Sequence, residues 1–482
     1  MNQPIAAATG TVAATRSPPD ASPWPVFGIA AVAVLLVSVD STVLFAAFSA
    51  LRRAFHGTDA SDLSWVINAY TVVYAALLVP AGRLADRHGR RRMFRLGLAL
   101  FLVASLACGA AGSVPLLVAA RVLQAMGAAL LTPASLALVL AAFGPQRRAV
   151  AVSLWGAVGG LAAALGPSLG SFVVDTLGWS WAFYLNLLPG GWALWRSGRL
   201  AESRDPDRGA PADLPGIVML IVAVGAPAYG VVQSESHGWS HTSVLLPLAC
   251  GAVALALFIA WARGRPHPAV DLSLFQHRTY RYVNLATFTF GMAFALMFFG
   301  FFFFMTHVWH YSLPLAGLAV TPGPLLVVPV AMLGGRLAAR HGHRPLLVGG
   351  SLLYAAGGTW FYLRAGATPD YLYTWLPGLL MTGTAVGLVL PSLSGAAVAR
   401  LPPARFGVGS AVNQAVRQMG SVLGVALTVV LVGHGAPSLA DFEPLYAAHV
   451  LLALTTALLC LPVDTRPQVA TLPSPPRAPQ EV

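Results

Sequence analysis

Gly82-Arg-Leu-Ala-Asp-Arg-His-Gly-Arg-Arg91 recurs as Gly335-Arg-Leu-Ala-Ala-Arg-His-Gly-His-Arg344, with eight of ten positions identical. Each copy follows one long apolar run and precedes another, so the repeated unit is larger than the decapeptide. A bilayer core about 30 Å thick needs about 20 apolar residues per helix. Fourteen stretches meet or approach that length: 24–50, 62–82, 94–112, 114–142, 149–174, 179–196, 213–232, 242–262, 280–309, 313–338, 344–364, 371–397, 406–432 and 443–462. The sixth is interrupted by Asn186 and by Pro189, Gly190 and Gly191, although Trp179, Trp181, Phe183 and Tyr184 crowd one end as an interfacial belt does. Each decapeptide follows the second stretch of a block of six, and the seventh and eighth stretches fall between the blocks. Two parallel six-helix blocks imply a binding site at their interface.

Composition agrees. Of 482 residues 57% are hydrophobic and 10% charged, and the mean hydropathy is +0.71. Soluble domains carry about a quarter charged residues, so lipid is the solvent here. The expected fold is an all-α polytopic membrane protein of two six-helix bundles plus two linker helices. Its segments are a tail 1–23, a bundle 24–197, a linker 198–279, a bundle 280–463 and a tail 464–482. The net charge of +12 comes entirely from Arg, the chain having no Lys. With both termini taken as cytoplasmic, the outer segments hold only Arg52, Arg53 and Arg364, so the basic surplus reads as a topology signal rather than nucleic-acid binding. The lack of Lys points to a GC-rich bacterial genome, hence a bacterial inner membrane. Cys108, Cys250 and Cys460 are far apart, and His307 with His310 and His341 with His343 lack a third ligand, so neither metal nor disulfide is expected. No catalytic constellation shares one membrane depth, so neither an enzyme nor a bound cofactor is expected.

Of the 17 acids, Asp40 alone falls well within a span. A charged carboxylate at the bilayer centre costs about 2.5 to 3.5 kcal/mol on insertion scales, so it reads either as a proton carrier or as a structural ion pair. At about 1.5 Å rise per residue, Asp40 and Arg121 both lie about 20 Å above the inner boundary, which allows them to pair. Arg417 is a second embedded cation with no acid at comparable depth in the second block. It either faces a cavity or bonds helix carbonyls beside Gly420 and Gly424. Asn68, Tyr70, Gln124, Asn284, Asn413 and Gln414 are further membrane-level polar residues expected at a substrate cavity. Gly82, Asp86, Arg87, Gly89, Arg90 and Arg91, with Gly335 and Arg344 of the second copy, read either as a conformational latch or as a topology anchor. Ala339 replaces the acid of the second copy, which makes the latch asymmetric. Gly156, Gly166, Pro167 and Gly170 form a small-residue stripe with a proline bend. The Phe-rich run 298–304 reads either as a lipid-facing surface or as an adaptable wall for lipophilic ligands.

These motifs resemble the major facilitator superfamily, and within it the fourteen-helix drug:proton antiporter branch, over residues 24 to 462. The Gly82 to Arg91 loop is similar to the superfamily's inner-loop signature, and Val39-Asp40-Ser41-Thr42-Val43 to the branch's first-helix motif. Arg121-Val-Leu-Gln-Ala-Met-Gly127 resembles the fourth-helix motif, Gly156 through Gly170 the fifth-helix motif of antiporters, Trp181 to Pro189 the sixth-helix pattern, and Arg417-Gln-Met-Gly420 with Gly424 the thirteenth-helix pattern. Ser180, where the branch carries Arg, and Ser171, where it carries Gly, depart from it. The resemblance implies that the helices of Asp40 and Arg121 are neighbours and that the Gly156–Gly170 stripe is a hinge and leak barrier. It also implies that protons entering down their gradient drive efflux of an amphipathic small molecule by alternating access; a lone embedded acid, with Arg417 opposing a dication, makes a monocationic, neutral or zwitterionic molecule the expected substrate. The protein is expected to act as a monomer. The alternatives are transport of a dedicated metabolite or lipid in either direction, and a membrane sensor or scaffold.

Overall fold

The computed structural model describes residues 22–56, 60–203, 213–266, 268–402, 405–432 and 438–465. The two expected tails fall almost wholly outside these residues. Among the described residues the chain is helical, with no strand. The helices are α1 (Trp24–Ala54), α2 (Ala60–His88), α3 (Arg90–Gly109), α4 (Val114–Ala142), α5 (Pro145–Leu177), α6 (Trp181–Tyr184), α7 (Leu187–Arg196), α8 (Leu214–His237) and α9 (Thr242–Arg263). They continue as α10 (Arg278–Phe303), α11 (Leu313–Val320), α12 (Pro322–His341), α13 (Arg344–Arg364), α14 (Leu376–Val398), α15 (Phe406–Val432) and α16 (Glu443–Cys460).

Helix runs through each of the expected stretches, and among the described residues ten helical runs are long and apolar enough to cross a membrane. The sixth stretch is two helices, α6 and α7, and the break falls at Leu185 and Asn186 rather than at Pro189. Pro189 instead lies in the first turn of α7, where its missing N–H has no helical partner to lose. Conversely α5 runs without interruption through position 167, so the expected proline bend does not break the helix. Helix α15 carries the polar residues Asn413, Gln414, Arg417 and Gln418.

The packing repeats itself. Within 24–196, α1 packs on α5, α3 on α4, α2 on α4, and α1 on α7. Within 278–460 the corresponding pairs recur as α10 on α15, α13 on α14, α12 on α14, and α10 on α16. Across the two sets, α2 meets α15 and α12 meets α5, again as a matched pair, while α8 and α9 pair with each other and α8 rests against α2 and α15. Some of these contacts are backbone to backbone. A Cβ at Gly127 would stand 2.7 Å from the Phe101 nitrogen, and Cβ atoms at Gly420 and Gly424 would overlap the carbonyl oxygens of Phe288 and Met292. Asp213 fastens the α8–α9 pair: it caps α8 through the Gly216 N–H and also accepts from Trp261 Nε1 at 3.0 Å and the Ala269 N–H at 2.9 Å. Burial alone raises its carboxyl, but these donors with Arg265 outweigh that and hold it below the usual range.

Candidate functional site

Five elements converge on Asp40. Its Oδ2 accepts from Arg121 Nη1 at 2.6 Å, and its Oδ1 accepts from Gln124 Nε2 at 2.7 Å and from Asn186 Nδ2 at 3.0 Å. Arg121 Nε donates to the Val66 carbonyl at 2.9 Å, its Nη1 also donates to Gln124 Oε1, and its guanidinium lies 4.1 Å above the Tyr70 ring. Ser105 Oγ accepts from both Gln124 and Asn186. Asp40 and Arg121 are each 1% exposed. Removing an ion pair from water is costly, and additional hydrogen bonds to both partners are what make such burial tolerable. The break between α6 and α7 thereby acquires a reason, since it presents Asn186 to the carboxylate.

The cavity lies on the other face of the same helices. Val34, Val37, Ser38 and Ser41 follow the i, i+3, i+4, i+7 spacing of one helical stripe, and Asp40 falls off that stripe. With Thr42, Tyr74, Thr132, Trp155, Gly156, Gly159, Gly160, Phe294, Leu390, Ser394, Gln414, Arg417 and Gln418 they enclose about 140 Å³. Tyr70 and Tyr74, stacked with ring centroids 5.8 Å apart, join the two sides: the first covers Arg121 and the second lines the cavity.

Several expected cavity residues are therefore elsewhere. Gln414 and Arg417 line it, with Arg417 Nε donating to Gln414 Oε1 at 2.9 Å. Gln124 and Tyr70 belong instead to the Asp40 network, which uses their hydrogen-bonding and stacking capacity. Asn284 is consumed between α10 and α15, where Asn413 Nδ2 donates to Asn284 Oδ1 at 3.2 Å and to Thr287 Oγ1 at 2.9 Å. Asn413 borders only a void of about 10 Å³ beside the main cavity. The side chains of Asn68 and Pro167 lie outside the described residues. Gly156 is against Pro391, while Gly166 and Gly170 are buried against Thr42 and Val43 of α1. Among the described residues no carboxylate lines the cavity, so an expected monocation finds no countercharge among them.

At the arginine-rich end, the first decapeptide joins the two helix sets. Asp86 Oδ1 accepts from Arg90 Nε and Nη2 at 3.1 and 3.0 Å, and Asp86 Oδ2 accepts the N–H of Val408 at 3.0 Å, in the first turn of α15. A carboxylate at a helix N-terminus meets unpaired donors and the positive end of the helix dipole. Gly89 needs its freedom: its φ is +107°, and a Cβ would meet the Glu202 carboxylate. Glu202, absent from the sequence reading, accepts the N–H groups of Arg91 and Arg92 at 3.0 and 3.2 Å, and Arg91 Nη1 reaches the Leu200 carbonyl. Gly82 and Gly335 are buried, Arg87 is half-buried, and Arg344 is exposed at the start of α13.

The second copy is closed differently, through His343, whose N–H donates to Thr465 Oγ1 at 2.7 Å. Burial pushes its imidazole from 6.5 down to about 4. The folded state thus refuses a proton that the unfolded chain accepts, so stability is full above pH 6.5 and falls as pH drops from there toward 4. Thermal unfolding of the purified protein is expected to show this slope, and His343→Gln is expected to flatten it; an unchanged slope would assign it to other groups.

The family model described as Major Facilitator Superfamily matches residues 30–274 and 283–481. The chain belongs to that superfamily. Multidrug resistance protein Stp of Mycobacterium tuberculosis (strain CDC 1551 / Oshkosh) is 31% identical over 82% of this chain and 73% of its own length. Puromycin resistance protein pur8 of Streptomyces alboniger is 33% identical over 94% of this chain and 93% of its own, and the cephamycin export protein CmcT of Amycolatopsis lactamdurans 33% over 84% of each. The fold matches that of the human organic anion transporter MFSD10, with a TM-score of 0.68 at 18% identity over 92% of this chain and 100% of that one. As a superfamily member the chain is a multi-pass membrane transporter.

Proposed function

We propose that the protein is a proton-coupled exporter of amphipathic drug-like compounds from bacterial cells, working by alternating access between the bundles 24–197 and 280–463. On this reading it has fourteen spans, with the segment 198–279 as a bracing linker and both termini cytoplasmic. The observation that carries it is a fully buried carboxylate, Asp40, paired with Arg121 inside the membrane-level core of a chain whose relatives are resistance and export proteins.

The proposed cycle follows from the contacts. Protonating Asp40 removes the countercharge of Arg121, whose remaining partners are Gln124 Oε1 on its own helix, the Val66 carbonyl and Tyr70 ring on α2, and the Phe183 ring on α6 at 5.9 Å. A neutral Asp40 therefore weakens the attachment of α1 to α4 while the hydrogen bond of Arg121 to Val66 on α2 persists. Because α1 carries Ser38 and Ser41 and α2 carries Tyr74, any shift between these helices reshapes the cavity wall. At 1% exposure the carboxylate exchanges its proton only when such a shift opens a water path. Substrate occupancy and proton occupancy thus bias the same helices, which is the physical content of coupling.

The test is transport by purified protein in proteoliposomes under an imposed pH gradient, with a fluorescent amphiphile outside and a pH dye inside. Substrate movement is expected to carry protons the opposite way and to lose its driving force when an ionophore dissipates the gradient. Movement indifferent to the ionophore would leave a facilitator and remove the antiport reading.

A further inference from the structure

The cavity's charge has a sign, and it is opposite to the one usually sought for a drug site with a buried acid. Asp40 has both carboxylate oxygens engaged by Arg121, Gln124 and Asn186 and does not reach the cavity. Arg417 does line it, and among the described residues no carboxylate lies within ion-pair distance of its guanidinium; its one hydrogen bond there is from Nε to Gln414. The other polar lining groups, such as Gln418, Tyr74 and Ser41, are neutral. A cation entering this space would shed water, gain no countercharge and be repelled by Arg417, whereas an anion would supply the missing partner of a half-buried charge.

A second, apolar space adjoins the first. It encloses about 50 Å³ and shares Gly160 and Phe294 with the polar cavity. Its wall is Met297, Phe298 and Phe301 on α10, with Phe294 and Phe298 stacked at 6.0 Å. Aromatic rings and a thioether make an adaptable surface for a flat lipophilic body. The polar cavity that Arg417 lines and the apolar space thus adjoin through Gly160 and Phe294.

We propose that this site selects amphiphiles bearing one negative charge, whose charged group is held by Arg417 and whose lipophilic body occupies the Phe294–Phe298–Phe301 space. The proposal rests on the export reading of the same cavity and fixes its substrate class. It makes Arg417 the residue that discriminates charge and the α10 aromatics the residues that accept the body.

Three probes test it: 8-anilino-1-naphthalenesulfonate, N-phenyl-1-naphthylamine, which has the same body without the charge, and the monocation tetraphenylphosphonium. Binding is measured to the full-length protein in lipid nanodiscs, with empty discs subtracted. The sulfonate is expected to bind at least about tenfold more tightly than the phosphonium, the scale of one desolvated charge contact. Arg417→Gln is expected to reduce the ratio of sulfonate to uncharged-amine affinity by about tenfold, and Arg417→Lys to keep most of it. Rescue by Lys separates loss of charge from loss of fold. Tighter binding of the phosphonium, or an Arg417→Gln effect equal on both naphthalene probes, overturns the proposal. Flux of the same probes in proteoliposomes separates the two readings: a bound sulfonate that is not moved removes export and leaves the anion preference standing, while gradient-driven flux of the phosphonium in place of the sulfonate keeps export and removes the anion preference.

Discussion

Asp40→Asn is expected to abolish gradient-driven accumulation while leaving a folded but less stable protein. Asn matches Asp in volume and retains an oxygen for Gln124 or Asn186, so packing survives. It cannot titrate, and it leaves Arg121 buried beside a neutral amide. Breaking one side of a buried pair costs about 3 to 5 kcal/mol because the surviving charge has no compensation. The remaining bonds of Arg121 to Val66 and Gln124 offset part of that. Asp40→Asn combined with Arg121→Gln removes the orphan charge and should recover stability relative to the single variant without restoring coupling. Thermal unfolding in detergent and proton-driven flux in proteoliposomes together separate the roles. If the Asn variant still couples substrate to protons, the carboxylate is structural and the carrier is elsewhere.

Asp86→Ala is expected to open the arginine-rich end. The substitution removes the acceptor of the Val408 N–H and of Arg90, so a contact between the two helix sets disappears while the helices themselves persist. Losing a charge-assisted hydrogen bond of this kind is worth about 1.5 to 3 kcal/mol, enough to move a two-state equilibrium about tenfold or more. Spin labels at the exposed positions 88 and 405 would report it as growth of a longer-distance population. Asp86→Asn keeps an acceptor for Val408 and loses only the charge, so its effect should be intermediate. An unaltered distance distribution in both variants would reduce the loop to a topology anchor.

Sequence made some of this legible for identifiable reasons. An acid inside an apolar run has few partners at its depth, so Asp40 and Arg121 could be matched by counting residues along their helices. The repeat could be read because two loops kept the same letters in the same place. Helix faces could not be read in the same way. Gln124, Tyr70 and Asn284 stand on helices surrounded by other helices, where polar and apolar faces barely differ in composition and only packing decides which side meets the cavity. The partners of Asp86 and Arg91 were hidden for another reason: a backbone N–H such as that of Val408 has no letter of its own, and Glu202 looks like any loop acid. Asn186 was visible as an irregularity but not as a ligand of Asp40.

The glycine contacts between α10 and α15 have a consequence for the size of what is carried. Gly420 and Gly424 lie flush against the backbone at Phe288 and Met292, so these two helices cannot slide past each other without a clash. Arg417 is one turn from Gly420, and Phe294 and Phe298 follow Met292 by two and six residues. The charged end and the aromatic end of the cavity are therefore mounted on one inflexible unit, which acts as a ruler. On the proposed reading, length is gauged by that unit and thickness from across the cavity by α1 and α5, whose Ser38, Gly156, Gly159 and Gly160 line the opposite wall. On the proposed anion reading, a carrier built this way is expected to tolerate varied molecular outlines and to be strict about the spacing between charge and ring.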